Sequence, residues 1–136
     1  MAELPYRYTV GQKIGQGAHR YVIGTNWNGR NAVVKRTTNR IDMMRSEIEF
    51  WERVKNTPLR KHFAEVYDYD RDGYTWTIME RLPKVLAHVS DDEWRATRDQ
   101  VEEVRQIGQD LGLFDLHNAN IGIRDNGEVT ILDYAM

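Results

Sequence analysis

The chain contains no cysteine, which excludes disulfides, thiolate nucleophiles and Cys-ligated zinc together and fits a reducing compartment. Only three of its 136 residues are proline, and no stretch reads as a Pro/Gly/Ser linker, a low-complexity tract or an internal repeat. The formal net charge of -2 argues against an electrostatic nucleic-acid binder or a polybasic membrane-surface protein. No apolar run approaches membrane-spanning length, and Met1-Ala2-Glu3-Leu4-Pro5 lacks the basic and then apolar regions of a signal peptide. The expectation is a cytoplasmic protein with neither a nucleic-acid nor a membrane partner. His19, His62, His88 and His117 are scattered without ligand spacing, so zinc-dependent hydrolysis has little support.

What is present is a series of turn signals and two helical patterns. Asn28-Gly29, Asp72-Gly73 and Asn126-Gly127 each read as the tight turn of a hairpin, and each is flanked by β-prone segments. They predict strand pairs 21–27 with 30–36, 64–69 with 74–80, and 120–124 with 128–133, preceded by a strand near 7–14. Tyr74, Trp76 and Ile78 are spaced to share one strand face. A helix over 41–55 ends before Pro58, with Ile41, Met43, Met44, Ile48, Phe50, Trp51 and Val54 on one broad apolar arc. A second helix starts at Ser90, where Asp91, Asp92 and Glu93 complete a capping box, and stops at Gly112. Its expected buried stripe is Trp94, Val101, Val104, Ile107 and Leu111, with charged residues around the rest.

Three constellations carry chemistry. Glu47 falls inside the apolar arc of the first helix, whereas Glu49 falls almost opposite. A carboxylate so placed needs a partner, and Lys35 at the end of the Ala32-Val33-Val34 strand offers one. The alternative is a snorkelling lysine and a rim glutamate. Gly15 and Gly17, one residue apart between two strands, allow backbone N–H groups to approach phosphates, although an ordinary hairpin turn looks similar. Asp115 and Asn120 leave one end of the last hairpin region and Asp133 returns to that end. Such hard oxygen ligands suit Mg²⁺, while Asp and Asn also cap loops routinely.

Taken in order, these pieces resemble the protein-kinase-like superfamily. Gly15-x-Gly17-x-x-Arg20-x-Val22 is similar to its glycine-rich loop, with Arg20 where a third glycine is usual. Ala32-Val33-Val34-Lys35 resembles the Ala-x-Lys strand, Glu47 the helix glutamate, and Ile78-Met79-Glu80-Arg81-Leu82 the adenine-binding hinge. Asp115-x-x-x-x-Asn120 and Asp133-Tyr134-Ala135 resemble the catalytic-loop and Asp-Phe-Gly motifs, with Leu113-Phe114 in place of His-Arg and Ala135 in place of glycine. Asp-Leu-His-x-x-Asn is closer to the loop of small-molecule and atypical kinases. The sequence ends at Met136, which leads to the expectation of a domain without an activation segment.

The resemblance implies an α+β fold. Residues 1–82 would form a kinase-like N-lobe, a five-stranded antiparallel sheet plus one helix. Residues 83–136 would form a reduced C-lobe of one helix and a β-hairpin, the two joined by a hinge near 80–83. It implies a Mg-ATP-dependent phosphotransferase, a minimal protein kinase acting on a partner protein or on itself. Lys35, Glu47 and Asp115 are its catalytic set, and Asn120 and Asp133 its metal ligands. Gly15, Gly17, Val22, Ala32, Lys35, Met79, Glu80, Leu82 and His117 contact ATP. The alternatives are a pseudokinase-like module that regulates a protein partner, with or without nucleotide, and a plain α+β domain. So small a C-lobe also admits self-association into a homo-oligomer that covers the underside of the second helix.

Overall fold

The computed structural model describes residues 13–16, 21–114 and 116–134. The described residues form an α+β protein with two α-helices and two antiparallel sheets. The described chain divides into two compact units. One contains the chain up to Arg53 together with Glu65–Arg81; the other contains Val54–Ala64 and Leu82–Tyr134. Among the described residues no helix is long and apolar enough to cross a membrane.

The first unit is built on strands β1 (Lys13–Gln16), β2 (Tyr21–Trp27), β3 (Arg30–Arg36), β4 (Val66–Tyr69) and β5 (Trp76–Glu80), with helix α1 (Ile41–Val54). Its sheet has the order β1-β2-β3-β5-β4, in which β2-β3-β5-β4 form the continuous part and short β1 joins β2 through a register shift. The Asn28-Gly29 turn sets the β2–β3 register: both residues have positive φ, 47° and 85°, and the Gly29 N–H is held by Asn26 Oδ1 at 2.9 Å. Of the strand expected near 7–14, residues 7–12 lie outside the described residues, and β1 occupies 13–16.

The loop between β4 and β5 departs from the expected Asp72-Gly73 turn. Its positive-φ residue is Tyr74, at 54°. The organiser is Asp70, a buried carboxylate that accepts the backbone N–H groups of Asp72, Gly73 and Thr75 and the Thr75 hydroxyl, at 2.6–3.1 Å. This cage turns the chain, so the strand begins only at Trp76 and Tyr74 is excluded from the face shared by Trp76 and Ile78. The Tyr74 ring instead stacks on Tyr69 (centroids 6.4 Å apart) beneath the Arg45 guanidinium. Those contacts offset a backbone conformation that aromatic residues seldom adopt.

Strand alternation sorts the rest of this unit. Ala32, Val34, Trp76 and Ile78 form a buried cluster on one face, with Trp27 and Tyr67 packed against it and their rings stacked 5° from parallel. Val33, Lys35, Thr77 and Met79 alternate with them and point to the other face, where the buried side of α1 (Met44, Glu47, Ile48, Trp51) supplies Glu47 to Lys35. Ile41, expected on the apolar arc, is exposed at the first position of the helix.

The second unit contains β6 (Lys84–Val85), helix α2 (Asp91–Asp110), β7 (Ile121–Ile123) and β8 (Val129–Ile131). The expected hairpin is thus a three-stranded sheet, β6-β7-β8. Gly122 makes the extra strand possible: a Cβ there would lie 2.7 Å from the Lys84 carbonyl oxygen, so only glycine admits β6 this closely. Its last turn spans the three residues 125–127, between the strand bounds that the sequence predicts. Gly127 alone has positive φ, and paired bonds run from Gly127 N–H to Arg124 O and from Arg124 N–H to Glu128 O, the pattern of a turn with a glycine bulge.

Ser90 caps α2 by accepting the Glu93 N–H at 3.2 Å, while the Glu93 carboxylate meets Lys84 at 2.7 Å. At the other end Gly112 takes φ 92°, with bonds from Leu113 N–H to Gly108 O and from Gly112 N–H to Gln109 O. This is the glycine-terminated helix end that the sequence predicts. The buried stripe is shifted, however. Thr97, Val101, Val104 and Gly108 are buried, whereas Trp94, Ile107 and Leu111 are half-exposed. Two non-apolar positions escape a hydrophobicity pattern: Thr97 returns its hydroxyl to the Glu93 carbonyl at 2.8 Å, and Gly108 is where Leu116 and Ile131 press against the helix.

Candidate functional site

In the first unit the Lys35 ammonium sits 3.1 and 3.3 Å from the two Glu47 carboxylate oxygens, with side chains 6 % and 0 % exposed. The buried ion pair, and not the snorkelling lysine, is therefore the arrangement that forms. Strand β3 supplies the lysine from the face opposite the Trp76 cluster, and α1 supplies the glutamate one helical turn from Met44 and beside Ile48. A lysine so held presents a fixed positive charge, which suits neutralisation of a phosphate.

Period-two alternation changes one assignment. Ala32 lies in the apolar cluster on the face away from Lys35, so it cannot share a ligand with that lysine; the residue two positions before Lys35 on its own face is the buried Val33. The pattern Ala-x-Lys is therefore occupied by Val33-Val34-Lys35, a spacing that counting along the strand reveals without any structure. Val22 is half-buried on β2, opposite Gly15 across the shifted ladder and opposite Lys35 on the other side. Gly17 and His19 lie outside the described residues, as does Arg20. In the hinge-like stretch Met79 is buried, and the Glu80 and Arg81 N–H groups already donate to Glu65 O (2.8 Å) and Asn31 O (3.3 Å). These two donors are committed to the sheet. The Glu80 carboxylate also accepts the Glu65 N–H, at 3.2 Å.

In the second unit a loop joins α2 to β7. Leu113 and Leu116 are both buried, so side-chain packing anchors the chain on either side of position 115. Asp115 itself lies outside the described residues. His117 is exposed and begins a short 3₁₀ turn, Asn118–Asn120, closed by a bond from Asn120 N–H to His117 O at 2.9 Å. A bond from Leu132 N–H to Asn120 O at 2.8 Å extends the β7–β8 ladder by one position, which brings half-buried Asn120 and Asp133 to the same end of the hairpin. Next to Asp133, buried Tyr134 donates its hydroxyl to Ala64 O (2.8 Å) and packs edge-on against Phe63. Leu82 is half-buried, with its side chain over Gly122.

Among the described residues no group of three His, Asp or Glu side chains gathers to hold a metal ion. Asn120 and Asp133 are two hard oxygen donors, a set that fits Mg²⁺, which takes few protein ligands and completes its shell with water and phosphate oxygens. A groove of about 430 Å³ between β6 and the start of α2, beside Lys84 and Glu93, contains none of the candidate residues. Arg105 is the residue that sequence reasoning missed. The helical pattern puts it among the charged residues around the apolar stripe of α2, yet its guanidinium donates to Leu116 O at 3.0 Å and to Asn118 Oδ1. No protein-family model and no curated protein matches the chain.

Proposed function

We propose that the chain is a minimal protein-kinase-like phosphotransferase that uses Mg-ATP. The observation that supports it most is the buried Lys35–Glu47 pair: a desolvated charge pair is a costly core element, and a phosphate-binding role gives it a purpose. In this reading Lys35 neutralises the α- and β-phosphates and Glu47 fixes the lysine. Gly15 and Gly17 bring backbone N–H groups to the phosphates, with Val22, Val33, Met79, Glu80 and Leu82 contributing to the nucleotide's surroundings. Asn120 and Asp133 hold Mg²⁺, which neutralises charge on the transferring phosphoryl group when bound. Asp115 orients and deprotonates the acceptor hydroxyl, and exposed His117 stands two residues from it. Catalysis of this class rests on positioning and charge neutralisation, so few groups suffice. The acceptor in this reading is a hydroxyl on a partner protein or on the chain itself.

One observation favours a second reading, a non-catalytic module that docks on a protein partner. Phe114, immediately before Asp115, is 89 % exposed, and a large solvated aromatic ring suits a contact with another protein. Transfer of label from γ-labelled ATP, to casein and to the chain itself, separates the two. Phosphotransfer that Asp115→Ala abolishes while nucleotide binding persists supports the enzyme. Binding without transfer in wild type favours the docking module.

A further inference from the structure

Loop 113–120 carries two residues of the proposed machinery, Asp115 and Asn120, and its described residues include the 3₁₀ turn Asn118–Asn120. Its ends are fixed. Leu113 is locked by the glycine-terminated helix end and by burial, and Asn120 is bonded on both sides, from its N–H to His117 O and from Leu132 N–H to its carbonyl. Between those ends, Leu116 is buried against α2 at Gly108, and a side chain of α2 adds polar contacts. Arg105, one and a half turns before the end of α2, donates through Nε to the Leu116 carbonyl at 3.0 Å and through Nη2 to Asn118 Oδ1. The two bonds bracket His117, whose side chain is exposed. The neighbouring helix residues Glu102, Glu103 and Gln106 are solvent-exposed, whereas Arg105 is half-buried.

We infer that Arg105 is a positioning residue, the clamp that sets the conformation of the loop segment from Leu116 to Asn118, which bears His117 and leads into Asn120. Calling this loop catalytic rests on the function proposed above; the clamp itself rests on the two hydrogen bonds. The chemistry requires arginine. The acceptors are a backbone carbonyl and a side-chain amide two residues apart, and a guanidinium presents divergent donors in a fixed fork, whereas an ammonium is one compact charge on a flexible stem. Both acceptors are neutral, so the positive charge is not neutralised by a carboxylate at these contacts; it strengthens both bonds instead. Arg105 touches neither nucleotide nor acceptor in this reading and acts only by fixing the segment that leads into Asn120.

The test compares Arg105→Met, Arg105→Lys and Asn118→Ala with wild type, using Arg98→Met, on an exposed position of the same helix, as the control. Two readouts are taken: steady-state phosphate transfer from Mg-ATP, and amide hydrogen exchange at Asn120. A displacement of the order of an ångström in reacting groups lowers turnover by roughly 100-fold, so Arg105→Met is expected to reduce kcat by about that factor with KM for ATP and thermal midpoint little changed. Lysine is expected to restore turnover in part. Asn118→Ala is expected to cost less than Arg105→Met and to be non-additive with it, because both remove one shared bond. Exchange at Asn120 is expected to accelerate in Arg105→Met and not in Arg98→Met. An active wild type whose kcat and Asn120 exchange are both untouched by Arg105→Met overturns the clamp and leaves the proposed function standing. A wild type without phosphotransfer defeats the proposed function instead, and the exchange measurement alone then decides the clamp: faster exchange upholds it, unchanged exchange overturns it.

Discussion

Lys35 on β3 and Glu47 on α1 meet through two contacts, 3.1 and 3.3 Å, with almost no solvent at either side chain. Removing one partner takes both of these contacts from a buried charge. Lys35→Ala or Glu47→Ala is therefore expected to cost about 3–5 kcal/mol of folding stability, while Lys35→Met/Glu47→Leu recovers most of that loss. The surface pair Arg45–Glu49 is shorter, 2.7 Å, but more than half exposed, and Glu49→Ala is expected to cost no more than about 0.5 kcal/mol. Urea denaturation of the four variants checks the ordering. Similar losses for Glu47→Ala and Glu49→Ala would remove the buried pair as a structural element.

Asp70 gives the fold an acid-sensitive element. Burial pushes its pKa up, but hydrogen bonds from the Thr75 hydroxyl and from the Gly73, Thr75 and Asp72 N–H groups outweigh burial, and the carboxyl titrates below its ordinary range. A carboxylate with a depressed folded pKa contributes stability that is full above the unfolded value of about 4 and is lost as pH falls through the lower, folded value. Asp70→Asn is accordingly expected to cost about 1–3 kcal/mol at pH 7, and its deficit relative to wild type should shrink as pH drops below about 4. Urea midpoints at pH 7 and pH 3 measure both. A deficit that grows on acidification contradicts the sign.

Gly108 and Gly112 lie one turn apart and resist substitution for opposite reasons. A Cβ at Gly108 would stand 2.5 Å from Leu116 Cδ1 and 3.1 Å from Ile131 Cδ1, so Gly108→Ala is expected to cost about 1–3 kcal/mol through overpacking. It also displaces Leu116, next to Asp115, and is expected to lower turnover. Gly112 has open space but φ 92°, so Gly112→Ala is expected to cost about 1 kcal/mol while Gly112→Asn is tolerated better. Thermal unfolding of the three variants tests this, and a neutral Gly108→Ala would contradict the packing seen between α2 and the loop.

Thr77 is directly opposite Lys35 in the β3–β5 ladder, and its fully buried hydroxyl has no hydrogen-bond partner; it is the only such side-chain atom among the described residues. An unsatisfied buried hydroxyl is unfavourable, so Thr77→Val, which exchanges it for a methyl group, is expected to raise stability by about 1 kcal/mol. A lower melting temperature for Thr77→Val would show that the hydroxyl has a role beside the ion pair.

The sequence makes some of this legible because the signals are local. Asn28-Gly29 can supply two positive-φ residues in a row, and Ser90 and Gly112 mark helix ends through groups within a few residues. The Lys35–Glu47 pair could be anticipated because helical spacing put Glu47 in an apolar arc where a lone charge is costly. Other features depend on chain remote in sequence. β6 is two residues long and exists through its pairing with β7, which no periodicity encodes. Thr97 and Gly108 lie on the buried face of α2 although neither is a hydrophobic residue. Arg105 resembles any surface arginine until the loop eleven to thirteen residues later folds back onto it. The Ala32 assignment failed for a different reason: Lys35 and Ala32 are three apart, and a strand puts odd separations on opposite faces.

Calorimetric titration with ATP, with and without Mg²⁺, tests the proposed nucleotide site most directly. Wild type is compared with Asp133→Ala and with Lys35→Met/Glu47→Leu, which removes the charge pair without leaving a buried lone charge. The expected result is Mg²⁺-dependent binding by wild type, between about 1 μM and 1 mM, that both variants lose while remaining folded by circular dichroism. A well-folded wild type that takes up no ATP in the presence of Mg²⁺, or binding that survives unchanged in both variants, would contradict the assignment of Lys35 and Asp133 to a nucleotide site.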